Sequence, residues 1–207
     1  MHGAVLIVAL LFTDTVNPIQ TAIDHYREVA AYQVTLKSVS GGKSEIIHYY
    51  FKKPNHVRME FVTPFKGAVL IYDPGTKQAK LWPFGYRSFP SLTLSPSNNM
   101  IQSSTGQRVD RSDVGVLYGN VKALQEHGAT RVTGIELLDG QETMHVVVAG
   151  KNGYSIGAVS RYQLWLDRDT GFPLKVLSHD IDGQVIEMVE MRELQIGPEF
   201  PVGFFKQ

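Results

Sequence analysis

Cysteine is absent from the 207 residues. That excludes disulfides, thiolate metal sites, a catalytic thiol and a lipidated N-terminal cysteine. A surplus of charge is absent as well, because 20 Lys and Arg balance 20 Asp and Glu. A nucleic-acid binder carries a basic excess, so nucleic acid is not an expected partner. Long apolar runs are scarce. The longest, Ala4 to Phe12, has nine residues, well short of the roughly 20 that a membrane helix needs. It suits the apolar centre of a secretory leader. However, only His2 precedes it where Lys or Arg belongs, and Thr13-Asp14-Thr15 follows where a small-x-small cleavage site belongs. An N-terminal core strand or helical turn is the other reading of residues 1–16.

Chemical motifs are equally thin. Seven histidines stand at positions 2, 25, 48, 56, 127, 145 and 179 without a helical pair or a completing carboxylate, so no metal site is expected. Gly153-Tyr154-Ser155-Ile156-Gly157 formally matches a nucleophile elbow. That motif needs a strand before it and a helix after it. Here Ala158 to Asp167 alternates like a strand, so Ser155 is not assigned a catalytic role. Asp167 and Asp169 flank a turn and read as solvated. There is no phosphate-cradling loop and no dinucleotide fingerprint. No catalytic residue, cofactor or enzymatic activity is predicted.

What the chain does have is apolar content, 43% hydrophobic against 19% charged, enough for a packed core. Asn17-Pro18 starts a helix, continued by Ala22, Ile23, Tyr26, Val29 and Ala30 to about Ala31. The period then changes to two. Strands are predicted over Tyr32–Val39, Ser44–Lys53, His56–Thr63, Ala68–Tyr72 and Gln78–Phe84, joined by Gly- or Pro-containing turns. Gly85 to Gln107, rich in Ser, Pro and Gly, lacks firm periodicity and reads as a long functional loop or flap. Asp110 is predicted to cap a second helix, through Val114, Leu117, Val121 and Leu124. Strands resume over Thr130–Leu138, Glu142–Ala149, Val159–Leu166, Phe172–His179 and Gln184–Ile196. The expected fold is mainly β (α+β): one curled antiparallel sheet of about eleven strands. It forms a half-open barrel with helices covering the concave side, a single domain over residues 17–207.

Several strands are apolar on both faces: Ile46, Ile47, Tyr49, Tyr50 and Phe51; Val69 to Tyr72; Tyr162, Leu164, Trp165 and Leu166; and Val185, Ile186, Met188, Val189 and Met191. A strand buried on both sides has something against each side. Helices account for one layer. A further sheet layer, a plain two-sided core, or a cavity for an apolar ligand accounts for the other.

Three segments carry a family resemblance. Tyr50-Phe51-Lys52-Lys53-Pro54-Asn55-His56-Val57-Arg58-Met59-Glu60-Phe61 is followed by Leu70-Ile71-Tyr72-Asp73-Pro74. Later, Leu164-Trp165-Leu166-Asp167-Arg168-Asp169-Thr170-Gly171-Phe172-Pro173-Leu174-Lys175 resembles a W-x-D-x-x-T-G-x-P-x-K strand-turn-strand. Together they resemble the outer-membrane lipoprotein-sorting carriers of the bacterial envelope, the LolA/LolB-like family. The resemblance implies a curled eleven-stranded sheet plugged by helices, a periplasmic location, and carriage of acyl chains of lipids or lipoproteins without chemistry. In the sorting carriers, a basic residue before the strand-ending Pro latches the helical lid. Lys53 holds that position here, where the carriers have Arg, and Lys offers a less rigid set of hydrogen bonds. Candidate cavity-lining residues are Tyr50, Met59, Phe61, Leu70, Tyr72, Leu81, Trp82, Leu164 and Trp165. They belong to two alternating sets, and a one-residue change of register exchanges which set faces inward. The same fold also serves envelope sensors, so the alternative reading is an envelope interaction, sensor or scaffold protein without transported cargo. An envelope protein partner and transient membrane contact are expected beside the acyl chains.

Overall fold

In a computed structural model of the protein, residues 17–207 are described. The apolar run Ala4–Phe12 lies outside them. Helix α1 (Pro18–Glu28) begins where Asn17-Pro18 places it. The Asn17 side chain accepts from the backbone N–H groups of Ile19 (3.1 Å) and Gln20 (3.4 Å), satisfying orphan donors of the first turn. The helix stops earlier than its periodicity suggests, because Val29 is already extended and Ala31 opens the first strand.

Strands β1 (Ala31–Ser40), β2 (Lys43–Lys52), β3 (His56–Thr63), β4 (Val69–Asp73) and β5 (Gln78–Trp82) follow as a meander. The stretch read as an aperiodic loop contains a short strand, β6 (Leu92–Leu94), paired on β5 through Leu81 and Leu92. It also contains a 3-10 turn at Asn99–Ile101. Three residues give too short an alternation to be seen against the surrounding Ser and Pro.

Helix α2 spans Val114–Glu126 and is capped by Asp113, not Asp110. The Asp113 carboxylate accepts from the Gly115 N–H at 2.7 Å, whereas Asp110 sits in a 3-10 turn and pairs with Arg108. Gly115 has a packing reason: a Cβ there would stand 2.9 Å from the Tyr26 ring. Strands β7 (Gly128–Leu138), β8 (Gln141–Gly150), β9 (Arg161–Asp167), β10 (Pro173–His179) and β11 (Val185–Ile196) complete the chain.

All eleven strands form one antiparallel sheet in the order β6-β5-β4-β3-β2-β1-β11-β10-β9-β8-β7. The edge strands β6 and β7 do not pair with each other, so the barrel stays half open, as expected from the sequence. The connection from β6 to β7 carries α2 across the concave side, where it packs on α1, β7 and β8. One apolar cluster joins that side of the sheet to both helices, with Ile19, Val121, Leu124, Val146 and Leu164 fully buried within it. A much smaller cluster, Val69, Ile71 and Trp82 with Tyr86, lies on the convex side. The C-terminal segment folds back over that convex face. Its Phe204 ring meets Tyr50 edge-on at 5.0 Å, and Arg58 is held between Phe204 and Tyr86.

Candidate functional site

The register of the sheet decides which side chains share a face. Tyr49 pairs with Met59 and Ile47 with Phe61. Met59 in turn pairs with Leu70, and Leu70 with Leu81. Because successive residues of a strand point to opposite faces, Tyr49, Met59, Leu70 and Leu81 form one row on the concave side. On β1 and β11, Leu36 pairs with Met191 and extends the apolar surface.

This surface is not filled by the helices. Between it, α2 and residues 100–113 lies a cavity of about 840 Å³, within the roughly 300–1,000 Å³ range typical of small-molecule sites. Met59, Phe61, Leu70 and Leu81 line it, as do Val34, Leu36, Ile47, Tyr49, Ile101 and Met191, which the sequence reading had not selected. Tyr72 and Leu164 are on the same face but buried in the packed core, and they do not line the cavity. Tyr50, Trp82 and Trp165 face the other way, and their assignment is corrected here. Tyr50 packs on Phe200 and Phe204, Trp82 on Tyr86, and Trp165 stacks on His145 at 4.1 Å while donating to Glu136 at 2.7 Å. Bulk and aromaticity selected these three, whereas the face of a strand residue is set by parity. Tyr49 was recoverable by pairing β2 with the clean Val57, Met59, Phe61 alternation across the Pro54-Asn55 turn.

One end of the cavity is polar. Glu187 and Glu45 lie on either side of Ser38, whose hydroxyl donates to Glu187 at 2.7 Å. Burial pushes the Glu187 carboxyl above the usual carboxylate range, with Glu45 adding to the rise and the Ser38 hydroxyl opposing it. Burial raises Glu45 as well. The charged form is disfavoured because low-dielectric surroundings replace its hydration.

Tyrosine hydroxyls tie the start of α2 to the sheet. Tyr32 accepts from the Val114 N–H at 3.3 Å, Tyr49 and Ser112 share a hydrogen bond of 3.0 Å, and Tyr26 donates to Asp113 at 3.2 Å. Burial raises all three phenols far above their ordinary range, so they stay neutral at physiological pH. At the other helix, Lys53 Nζ donates to the Arg27 carbonyl at 2.5 Å and lies 5.7 Å from the Tyr26 ring. A cation at a helix C-terminus meets unsatisfied carbonyls and the negative end of the dipole. Ser155 lies in the turn between β8 and β9 and donates to the Gly157 carbonyl. A strand, not a helix, follows it. Among the described residues no cluster of three His, Asp or Glu could hold a metal ion.

Comparison with known proteins gives a consistent neighbourhood. A family model for the MucB/RseB N-terminal domain matches residues 93–207. No curated protein matches the sequence. Among solved structures, an uncharacterized conserved protein from Thermus thermophilus aligns with a TM-score of 0.57 at 12% identity, over 92% of this chain and 94% of that one. The Mycobacterium tuberculosis lipoprotein LppX aligns at 0.55 and 10% identity, over 89% and 96%. MucB, in its complex with MucA(peri), aligns at 0.53 and 18% identity, over 94% of this chain and 60% of that one. The chain thus spans somewhat under two thirds of the MucB chain. At these identities the likeness is one of fold.

Proposed function

The chain belongs to the MucB/RseB N-terminal domain family, a LolA-like half-barrel group, and we propose that it is a non-enzymatic binder of acyl chains from lipids or lipoproteins. The observation that carries this reading is the apolar cavity of about 840 Å³ left between the concave sheet face and α2. Each methylene moved from water into such a site gains about 0.8 kcal/mol. A 16-carbon chain therefore gains roughly 10 kcal/mol before ordering costs, enough for carriage without a covalent step. The segment over the cavity, residues 100–113, serves as the flap, and Lys53 as a pin on α1. The reading places the protein in the periplasm, with residues 17–207 as one domain and 1–16 as a leader.

Solvent extraction of the purified protein followed by mass spectrometry tests this. Acyl species are expected in the extract, together with stoichiometric binding of a fluorescent fatty-acid probe. Leu36→Trp, which narrows the cavity from a half-buried position, should weaken probe binding while the protein stays folded. An empty extract and no probe binding would sink the proposal.

A second reading is supported by the family match and by the MucB structure containing MucA(peri). On it, the chain docks a segment of an envelope protein and carries no cargo. Pull-down of a stoichiometric protein partner, with Leu36→Trp binding as well as the unmodified chain, would favour it.

A further inference from the structure

Besides Leu137, Ile181 and Val202 on other parts of the molecule, four large apolar side chains exposed to solvent come from two neighbouring stretches of chain. Phe65 is 62% exposed, Phe84 74%, Phe89 93% and Met100 65%. Phe65 sits on the β3–β4 turn, and Phe84 and Phe89 on the β5–β6 connection. In an antiparallel meander these two turns emerge at the same end of the sheet. They also touch: a Cβ on Gly85 would lie 3.9 Å from the Gly67 carbonyl oxygen. Phe65 and Met100 are exposed and line the cavity, as does Pro83, beside Phe84. Phe65 and Met100, with Phe84 next to Pro83, therefore form an exposed rim contiguous with the apolar lining of the cavity, and Phe89 follows in the same connection.

The charge carried by the rim's own segments departs from the balance of the whole chain, although Glu45 and Glu187 share the cavity lining with Phe65. Residues 64–68 and 83–101 contain Lys66 and Arg87 and no carboxylate, and no Asp or Glu occurs between Pro74 and Gln107. Arg87 lies over the Tyr86 ring at 5.0 Å and shares a surface recess with Lys206. Exposed aromatic rings flanked by cations make the surface chemistry of an interfacial anchor, with rings entering the headgroup boundary and cations meeting anionic lipid. Exposed apolar side chains grouped beside an apolar cavity mark an interaction surface.

The geometry points to this rim as a membrane-docking surface whose partner is an anionic bilayer, with Phe65, Phe84, Phe89 and Met100 entering the interface and Lys66 and Arg87 facing the headgroups. The inference goes beyond acyl binding and stands on the rim. Docking there would set the open side of the cavity against the lipid surface, so that a chain could pass between them without crossing water.

Vesicle sedimentation tests it with the whole chain. The protein should sediment with phosphatidylcholine vesicles containing phosphatidylglycerol, and less so as salt rises. Phe84→Ser combined with Phe89→Ser, at positions exposed enough to leave the core untouched, should lower the apparent affinity by about tenfold or more. Probe binding in the cavity should be unchanged. Lys66→Ser with Arg87→Ser should remove the preference for the anionic vesicles. Failure of the unmodified protein to sediment would overturn the inference, as would a Phe84/Phe89 variant that sediments equally well. So would a dimer, seen by sedimentation velocity, that the same variant dissolves in the absence of vesicle binding, since the rim would then be a contact between copies. Acyl binding is read separately: vesicle binding without probe binding would keep this surface and remove the carrier function.

Discussion

Two stretches of the same concave surface have opposite fates. Under α1 and α2, the side chains of Val146, Val148 and Leu164 are fully buried, together with Val121 and Leu124 of α2. Tyr26 meets Tyr118 edge-on and Phe172 at a tilt there. Over β1 to β5, the equivalent positions Leu36, Ile47, Met59, Phe61 and Leu81 remain only half covered and line open space. Both stretches have the same period-two pattern and similar residue types. Coverage makes the difference: α2 runs along β7 and β8 and leaves the opposite wing to a loop. Apolar alternation thus specifies a face to be covered, and the helix placement decides whether that face becomes core or pocket.

The most direct way to break this comparison is to truncate one residue in each stretch. Leu124→Ala removes a fully buried side chain from close packing and should cost about 2–5 kcal/mol. Met59→Ala enlarges a space that already exists and should cost below about 1 kcal/mol, because few packing contacts are lost. Denaturant unfolding measures both. Equal losses would show that the β3 face is as tightly packed as the region under α2. Acyl-probe affinity should respond in the reverse order, with Met59→Ala changing it more than Leu124→Ala.

The polar end of the cavity sharpens the comparison with a smaller effect. Glu187 and Glu45 are carboxyls that burial holds above their ordinary range, something a dry core would not tolerate twice. The sign follows from linkage. Below the usual carboxylate value both the folded and unfolded chains bind the proton, and no penalty exists. As pH rises from there through the raised folded value, the unfolded chain ionises first and stability is lost. Glu187→Gln, which keeps the bond from Ser38, should therefore raise Tm by a few degrees at neutral pH. The gain should fade towards zero as pH falls to about 4. Calorimetry across pH checks it. A gain that persists unchanged at low pH would assign the effect to packing instead of charge.

How far the sequence could be read depended on whether a feature was local. The Asn17 cap, the tight turns and the alternating strands are short-range, and the residues alone disclose them. So is the order of elements that carries the likeness to lipoprotein carriers. Strand β6 escaped because three residues give no measurable period. The cap of α2 was misplaced because Asp110 and Asp113 are equally good caps locally, and Tyr26, which donates to Asp113 and stands against Gly115, arrives from another element. In the cavity, Met59, Phe61, Leu70 and Leu81 were accessible from alternation. Tyr50, Trp82 and Trp165 were drawn in by size, although parity turns them to the convex face. Glu45, Glu187 and the loop residues could not be found at all, since each borrows its position from pairing or from a crossing made by a distant part of the chain.

The smallest expected effect concerns the boundary between the two stretches, where Lys53 meets the end of α1. Its ammonium donates to the Arg27 carbonyl and faces the Tyr26 ring, but the side chain is exposed. An exposed charge at a helix C-terminus contributes only about 0.3–1 kcal/mol. Lys53→Met keeps the apolar stem and removes the donor, so global unfolding should shift by no more than that amount. The informative readout is local. Hydrogen exchange in the last turn of α1 should quicken while amides in β8 to β10 keep their protection, because opening one helix end requires less than opening the sheet. Lys53→Arg should restore the slow exchange, since guanidinium supplies the same donor with a firmer geometry. If exchange in α1 is the same in all three proteins, α1 is held by Ile19 and Ala22 in the core alone. The covered stretch would then end at the packing of that helix, with no polar pin at its border.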